Sequence, residues 1–150
     1  MAQVQWMQQA LELAEEAGRE GEIPIGAVVV DSGGEIIGRG RNRRESGDPL
    51  GHAEIYAIGE AARRLGGWRL TGTTLVVTLE PCAMCAGAIV NARIPRLIFA
   101  VRDPKAGFCG SLGNLVQDPR LNHRVEVVAG VEEARSRALL QEFFQQIRKA

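Results

Sequence analysis

The sequence has no excess charge of either sign, because its 18 lysines and arginines are matched by 18 aspartates and glutamates. A nucleic-acid partner would therefore need a local basic patch. No apolar run approaches the roughly 20 residues that span a bilayer, and the charged, glutamine-containing N-terminal segment is unlike a signal peptide. Cysteine is scarce, and an odd total of 3 argues against a disulfide framework. We expect a cytoplasmic protein with no membrane partner.

Apolar runs rich in β-branched residues alternate along the chain with segments of helical spacing, and glycine or proline marks most of the boundaries. With 150 residues, 45% of them hydrophobic, the chain is long enough to bury the core of one domain, residues 1–150. The pattern predicts helices at residues 4–17, 52–65, 81–93 and 131–150, and strands at residues 23–31, 35–42, 73–80, 95–101 and 123–130.

The order of these elements predicts the fold class. The tight turn "SGGE" joins the first two strands as an antiparallel hairpin. Residues 73–101 read as strand, helix, strand with short connections, which predicts a right-handed crossover between parallel strands. The fold class is therefore α/β, with a mixed sheet of about five strands and helices on both faces. The loop at residues 102–122 is long enough to suggest a functional role.

Two of the cysteines stand in the segment "EPCAMC", where Cys82 and Cys85 lie one turn apart at the predicted start of a helix. A helix N-terminus favours the thiolate, which is the metal-binding form of cysteine. In isolation the pair could equally be a redox motif or two buried core residues. His52, in "GHAEI", supplies a third ligand of the kind that catalytic zinc sites use, with one tetrahedral position left for water.

Glu54 lies two residues after His52, where it could accept a proton from that water and pass it to a substrate. Each of these residues also has an ordinary explanation. A histidine at a helix start is commonly a cap or a surface residue, and an acid in the first turn is favoured by the helix dipole alone. The joint occurrence of His-x-Glu and Pro-Cys-x-x-Cys at the starts of two successive helices favours a metal site, since ligand sites lie beyond the strand ends in α/β folds.

The segments "HAE" and "PCAMC" resemble the zinc-dependent cytidine/deoxycytidylate deaminase superfamily. The segments "EIPIGAVVV", "GRGRN", "DPLGHAEI", "TLEPCAMCAGAIVNARI", "KAGFCGSLGNLV" and "LNHRVEV" resemble, in order, those of the bacterial tRNA-specific adenosine deaminases over nearly the whole chain. The resemblance implies a three-layer α/β/α, cytidine-deaminase-like fold. It also implies one Zn²⁺ per chain, a homodimer, and the anticodon stem-loop of tRNA as partner.

The activity implied by the resemblance is hydrolytic deamination of adenosine to inosine at wobble position 34 of an arginine tRNA. Zinc held by His52, Cys82 and Cys85 would supply hydroxide to C6 of adenine, with Glu54 as the proton shuttle. The substrate-binding positions that match the family are Asn42, which faces the nucleoside, and Asp103, Asn122 and His123, which contact the anticodon loop.

The sequence departs from the family pattern at Gly51, where alanine is common, and at Phe108-Cys109, where two small residues are usual. Cys109 has no partner at ligand spacing and is predicted to be a buried free thiol. Two alternatives remain. The first is a zinc deaminase of a free base or nucleoside, of the guanine or cytosine type, which would lack a tRNA surface. The second is a non-catalytic zinc or RNA-binding module, which would have no use for Glu54. The cluster Arg39, Arg41, Arg43 and Arg44 favours RNA only modestly, because such runs are often solvated.

Overall fold

Four helices and five strands make up residues 2–149, the part of the chain that the computed structural model describes. The helices are α1 (Ala2–Arg19), α2 (Ala53–Leu65), α3 (Ala83–Asn91) and α4 (Glu133–Lys149). The strands are β1 (Gly26–Val30), β2 (Ile36–Arg41), β3 (Thr74–Leu79), β4 (Arg96–Val101) and β5 (Glu126–Ala129). A short 3-10 turn, Arg44–Ser46, lies between β2 and α2.

The strands form one mixed sheet in the order β2-β1-β3-β4-β5. Strand β1 is antiparallel to both of its neighbours, while β3, β4 and β5 run parallel to one another. The hairpin, the parallel β3-α3-β4 unit and the mixed five-stranded sheet are therefore confirmed. Because β3 and β4 are parallel, the loops that follow them meet at the same edge of the sheet, which is where ligand sites form in α/β folds.

Alternate residues of the central strands face two separate apolar clusters, one on each side of the sheet. Helices α2 and α3 cover one face, where Ala57 and Ile89 are fully buried. Helices α1 and α4 cover the other, where Met7 is fully buried and Leu139 packs against the cluster. This arrangement confirms the three-layer α/β/α fold. Among residues 2–149, no helix has the length and apolar character needed to cross a bilayer.

Two glycines of the edge strand β2 allow α2 to lie directly on the sheet. A Cβ atom at Gly40 would stand 2.1 Å from the carbonyl oxygen of Ala53, and one at Gly38 would stand 2.1 Å from that of Ala57. Real Cβ atoms essentially never come within 3.0 Å of such an atom. The backbone of α2 can reach this position only because both residues lack a side chain, and His52 immediately precedes that helix.

Several predicted boundaries are wrong, each for a local reason. Helix α1 runs through Gly18, and the chain turns instead at Gly21, whose φ is 84°. Helix α3 begins at Ala83 because Cys82 is its N-cap. Strand β5 is shorter than predicted because the N–H of Val125 bonds to a carbonyl outside β4, that of Val116. The last helix begins at Glu133 rather than at residue 131, and residue 150 lies outside the described part.

Candidate metal centre and active site

The candidate site is built from the first residues of two neighbouring helices. His52 is the N-cap of α2 and Cys82 is the N-cap of α3. Both have extended backbone conformations and neither makes a side-chain cap hydrogen bond. Ser, Thr, Asp or Asn at these positions would satisfy an unpaired N–H, and their loss typically costs about 1 kcal/mol. Here the two side chains turn away from their own helices and toward each other.

The side chains of His52, Cys82 and Cys85 converge on one point. Their ligand atoms all lie within 4.8 Å of one another, and Nδ1 of His52 is 3.5 Å from the Sγ atoms of both cysteines. On a tetrahedral zinc ion with bonds of about 2.1 Å to nitrogen and 2.3 Å to sulfur, those atoms would be about 3.6 Å apart. The spacing and the chemistry of the donor set both fit such an ion, and the three residues could hold a metal.

The pKa values of the two ligand thiols are shifted in opposite directions. The pKa of Cys82 is lowered to about 3, chiefly because the Cys85 thiol donates a hydrogen bond to it, with a further contribution from His52. The pKa of Cys85 is raised, because that thiol shares a proton with Cys82 and is buried. A dication between the sulfurs would take the place of the shared proton and stabilise both thiolates. The third cysteine, Cys109, is a buried free thiol, as predicted.

Glu54 is buried in the first turn of α2, with 4% of its surface exposed. It is not one of the three converging ligands. Burial raises the pKa of its carboxyl group to about 7, against the opposing influence of nearby His52. A carboxyl group that titrates near neutral pH is suited to both accept and return a proton, and a cation bound beside it would lower that pKa.

Glu80 organises one wall of the site, and the sequence did not single it out. Its carboxylate accepts hydrogen bonds from the N–H groups of Asp103, at 2.9 Å, and of Cys109 and Ser111, both at 3.0 Å. Burial raises the pKa of this carboxyl, but its hydrogen bonds with Ser111, Asp103 and Cys109 outweigh burial, and the pKa lies below its usual range. The signal in the sequence was an acid directly after a buried strand, which needs compensating partners.

Asn42 lies in the opposite wall, directly after β2. Its side-chain amide donates to the carbonyl of Ile23 and accepts from the N–H of Arg44, both at 3.3 Å. A second buried carboxylate, that of Glu22, accepts the N–H groups of Glu45 and Ser46 at 2.8 and 2.9 Å. This wall adjoins the metal group because the N–H of Arg43 donates to the carbonyl of Gly51, next to His52.

The remaining candidate residues lie at the two edges of the sheet where the strands end: one edge is formed by the carboxyl ends of β3 and β4, the other by their amino ends. Asp103 is half-buried in the loop after β4, at the same edge as Cys82, and its carboxylate accepts the N–H of Lys105 at 3.0 Å. Asn122 and His123 precede β5 and lie at the opposite edge, where Nε2 of His123 is 2.7 Å from the carbonyl oxygen of Ile94. Strand β4 runs from one of these edges to the other, and a strand of six residues spans about 17–20 Å. Within one chain, the structure does not bring these two residues to the metal group.

The fold and the site define a class of protein. The family model of the MafB19-like deaminases matches residues 1–148. A solved guanine deaminase from Nitrosomonas europaea has a TM-score of 0.79 and 26% sequence identity, over 92% of this chain and 82% of that one. The class is therefore a deaminase.

Relatives with higher sequence identity indicate a particular kind of deaminase. A tRNA-specific adenosine deaminase of Bacillus subtilis (strain 168) is 49% identical over 145 residues, which is 96% of this chain and 89% of that protein. The structure also resembles that of a tRNA:A34 deaminase studied for A-to-I editing at the wobble position of transfer RNA, with a TM-score of 0.86 and 44% identity over 91% of this chain and 99% of that one. The chain belongs to the family of tRNA-specific adenosine deaminases.

Proposed function

We propose that this protein hydrolyses adenosine to inosine at wobble position 34 of a tRNA, with an arginine tRNA as the expected substrate and the cytoplasm as its compartment. The observation that carries the proposal is the convergence of His52, Cys82 and Cys85 beside a buried acid that is not a ligand. The 49% identity to a tRNA-specific adenosine deaminase supports this substrate over others.

We propose that His52 Nδ1, Cys82 Sγ and Cys85 Sγ hold one zinc ion per chain. When bound, the ion supplies Lewis acidity, which makes a water molecule acidic enough to react near neutral pH. Two of the three residues are N-caps and the third lies in the first turn of α3, so the backbone places all three side chains at helix starts.

Glu54 is the proton carrier in this proposal. Water adds to C6 of adenine and ammonia leaves, so one proton must move from the water to the ring nitrogen and another to the departing amino group. The carboxyl group of Glu54, buried beside the ligand group and not itself a ligand, can carry both in turn. Its burial also keeps bulk water from competing for the proton.

The RNA contacts follow from the two edges of the sheet. Asn42 and Asp103 lie in the two walls beside the metal group and are proposed to contact the target nucleoside and the anticodon loop. Asn122 and His123 lie at the far edge, away from the metal group of their own chain, and are proposed to contact the RNA from a second copy of the chain. We therefore propose a homodimer whose RNA site draws on both subunits.

Helix α3 is the proposed dimer contact. Its outward side presents Ala83, Gly87 and Asn91, which are exposed, and a Cβ built at Gly87 would meet nothing within 4 Å. Small side chains of this kind let two helices approach closely. In an antiparallel pair, the C-terminal end of one α3 lies beside the N-terminal end of the other. The edge that carries Ile94 and His123 of the second copy would then adjoin Cys82 of the first.

A free-base deaminase remains the second candidate, because the guanine deaminase fold is matched with a TM-score of 0.79. A non-catalytic zinc or RNA-binding module is disfavoured, because it would have no use for a buried, unligated Glu54. Ammonia release from an anticodon stem-loop, free guanine and free cytidine, compared side by side, separates these candidates. We expect release from the stem-loop alone. Release from guanine or cytidine alone would reject the tRNA substrate, and release from none would favour the module.

Variants of the site test the mechanism. Glu54→Ala is expected to keep zinc and RNA affinity but to lose about 10²–10⁴ in the rate of inosine formation. His52→Ala is expected to lose zinc and activity together. Glu12→Ala, an exposed acid on α1, is the matched control. Near-normal inosine formation by Glu54→Ala would reject the assigned role, and loss of zinc from that variant would make Glu54 a ligand.

A further inference from the structure

A groove of about 240 Å³ lies between the edge strand β2 and helix α2, outside the metal group. We call it the arginine groove. Its walls are formed by Arg39, Gly40, Arg41, Arg43, Tyr56, Glu60 and Arg63. The formal net charge of the chain is zero, so these four arginines provide the local basic patch that an RNA partner requires.

Only part of this positive charge is held in ion pairs, although Arg39 also borders a second cleft that contains three glutamates of α1. Arg41 pairs with Glu20, at 2.7 Å, and lies near Glu16. In contrast, within residues 2–149 no carboxylate forms an ion pair with Arg39, Arg43 or Arg63. The one acid of the groove, Glu60, accepts the backbone N–H of Arg39 at 2.8 Å. That bond covers a free donor of the edge strand and holds the backbone of β2 against α2.

The groove opens directly beside the proposed active site. Arg43 follows Asn42, and its N–H donates to Gly51, the residue before His52. The Arg43 guanidinium lies over the ring of Tyr56 at 5.6 Å, which restrains it at the mouth of the groove. From Tyr56 to Arg63 the groove follows α2 for seven residues, or about 10 Å. That length accommodates about three nucleotide steps of a stacked strand at roughly 3.4 Å each.

We propose that the arginine groove binds backbone phosphates of the RNA strand that flanks the target nucleotide. The inference rests on the proposed function, because it takes the RNA to be anchored at the metal group. Guanidinium groups bind phosphate through two parallel hydrogen bonds, and within residues 2–149 three of the four in this groove form no ion pair. Continuity with the site favours an RNA strand over an acidic peptide, since the target nucleoside of the same RNA is proposed to lie beside Asn42.

The test uses the double variant Arg39→Gln/Arg63→Gln, which removes two unpaired charges and keeps polar side chains. Arg135→Gln/Arg137→Gln removes the same charge from α4, where both arginines are ion-paired with glutamates. Binding of an anticodon stem-loop is measured over a range of salt concentrations, separately from turnover. The groove variant is expected to bind about tenfold more weakly, and its log–log salt slope should fall by about 1.4, at roughly 0.7 per lost phosphate contact on a single strand. Its kcat should stay within about twofold of wild type, since the groove acts on binding.

Each outcome decides a separate question. RNA affinity and a salt slope equal to those of the α4 control would overturn the groove proposal. Equally strong competition by polyglutamate and by RNA, at the same charge concentration, would overturn the assignment of RNA as occupant. The wild-type protein could bind the stem-loop with a steeper salt slope than the groove variant and yet form no inosine. In that case the proposed function would be rejected, but the proposal that the arginine groove binds RNA would be supported.

Discussion

Replacement of Glu80 tests whether one buried carboxylate holds the loop at residues 102–111 against the metal centre. Three backbone N–H groups donate to this carboxylate, and a Cβ at Gly107 would stand 2.3 Å from its Cδ atom. The N–H of Phe108 also bonds to the carbonyl of Pro81, next to the ligand Cys82. The segment Glu80–Pro81, directly before Cys82 and α3, therefore holds the loop in place.

The magnitude follows from these bonds. A hydrogen bond to a charged group contributes about 1.5–3 kcal/mol, and a buried donor left unpaired costs about 1–3 kcal/mol. Since the pKa of Glu80 is lowered overall, its hydrogen bonds outweigh the cost of burying the charge. We expect Glu80→Ala to lower the free energy of unfolding by about 3–5 kcal/mol, because water can reach part of the vacated space. Glu80→Gln keeps one acceptor oxygen but turns an NH₂ group toward other donors, and about 2 kcal/mol is expected.

Urea unfolding of the metal-loaded protein measures the loss, and amide hydrogen exchange locates it. Exchange should accelerate at Asp103, Cys109 and Ser111. Glu22→Gln is the matched control, since that carboxylate accepts two N–H groups in the opposite wall. It should produce a smaller loss, with faster exchange at residues 45 and 46 only. A Glu80→Ala protein within about 0.5 kcal/mol of wild type, with slow exchange retained at all three amides, would refute this reasoning.

Two further predictions concern the metal and the dimer. Cys82→Ser and Cys85→Ser should each lose bound zinc and melt at a lower temperature, whereas Cys109→Ser, at a buried thiol outside the ligand group, should keep its full zinc content by elemental analysis. Equal zinc content in all three variants would contradict the ligand assignment. Sedimentation should give twice the chain mass of 16.2 kDa. Gly87→Arg should give a folded monomer, since a side chain at this position meets only open space within one chain; an unchanged dimer would show that α3 is not the contact.

The parts of the site that could be predicted from the sequence are those that depend on local spacing. His-x-Glu and Pro-Cys-x-x-Cys each lie within one turn of a helix start, so helix geometry alone orients each pair. The meeting of the two pairs could be expected because α2 and α3 cover the same face of one sheet. The distance between the two pairs, 3.5 Å from Nδ1 of His52 to Sγ of Cys82, depends on how closely α2 packs on the glycines of β2. That packing cannot be inferred from local spacing.

Other features depend on residues far apart in the chain. Glu80 acts on residues 23 to 31 positions later, and Glu22 acts on residues 23 and 24 positions later. The helical spacing of Trp6, Ala10, Leu13 and Ala17 predicts the apolar face of α1. Ala10 and Ala17 are buried as predicted, but Trp6 and Leu13 are only partly buried, and the other fully buried residues are Met7, Leu11 and Ala14. Periodicity alone does not decide which of several neighbouring apolar positions on a helix is fully buried, because small and large apolar residues lie side by side on the same face.

The position of His52 relative to the cysteines depends on the absence of a side chain at Gly40. A Cβ there would lie 2.1 Å from the Ala53 carbonyl, so Gly40→Ala must move the start of α2 by about 1 Å to restore a distance of 3.0 Å. Metal sites tolerate deviations of about 0.2 Å in ligand distance. We therefore expect Gly40→Ala to weaken zinc affinity at least tenfold, an effect of the size that supporting residues have elsewhere, and to lower the free energy of unfolding.

Gly26 offers a matched control on the other face of the sheet. A Cβ at Gly26 would lie 2.0 Å from the carbonyl oxygen of Ala10 in α1, an equally severe clash on the face of the sheet opposite to the helices that carry the ligands. Gly26→Ala should lose about 1–3 kcal/mol or more of stability and keep its zinc affinity, measured by competition with a chelator. Should Gly40→Ala fail to fold, Gly38→Ala displaces the next turn of α2, at Ala57, and a smaller loss of affinity is expected. Equal zinc affinity in the β2 variants and in Gly26→Ala would mean that the sheet does not position His52.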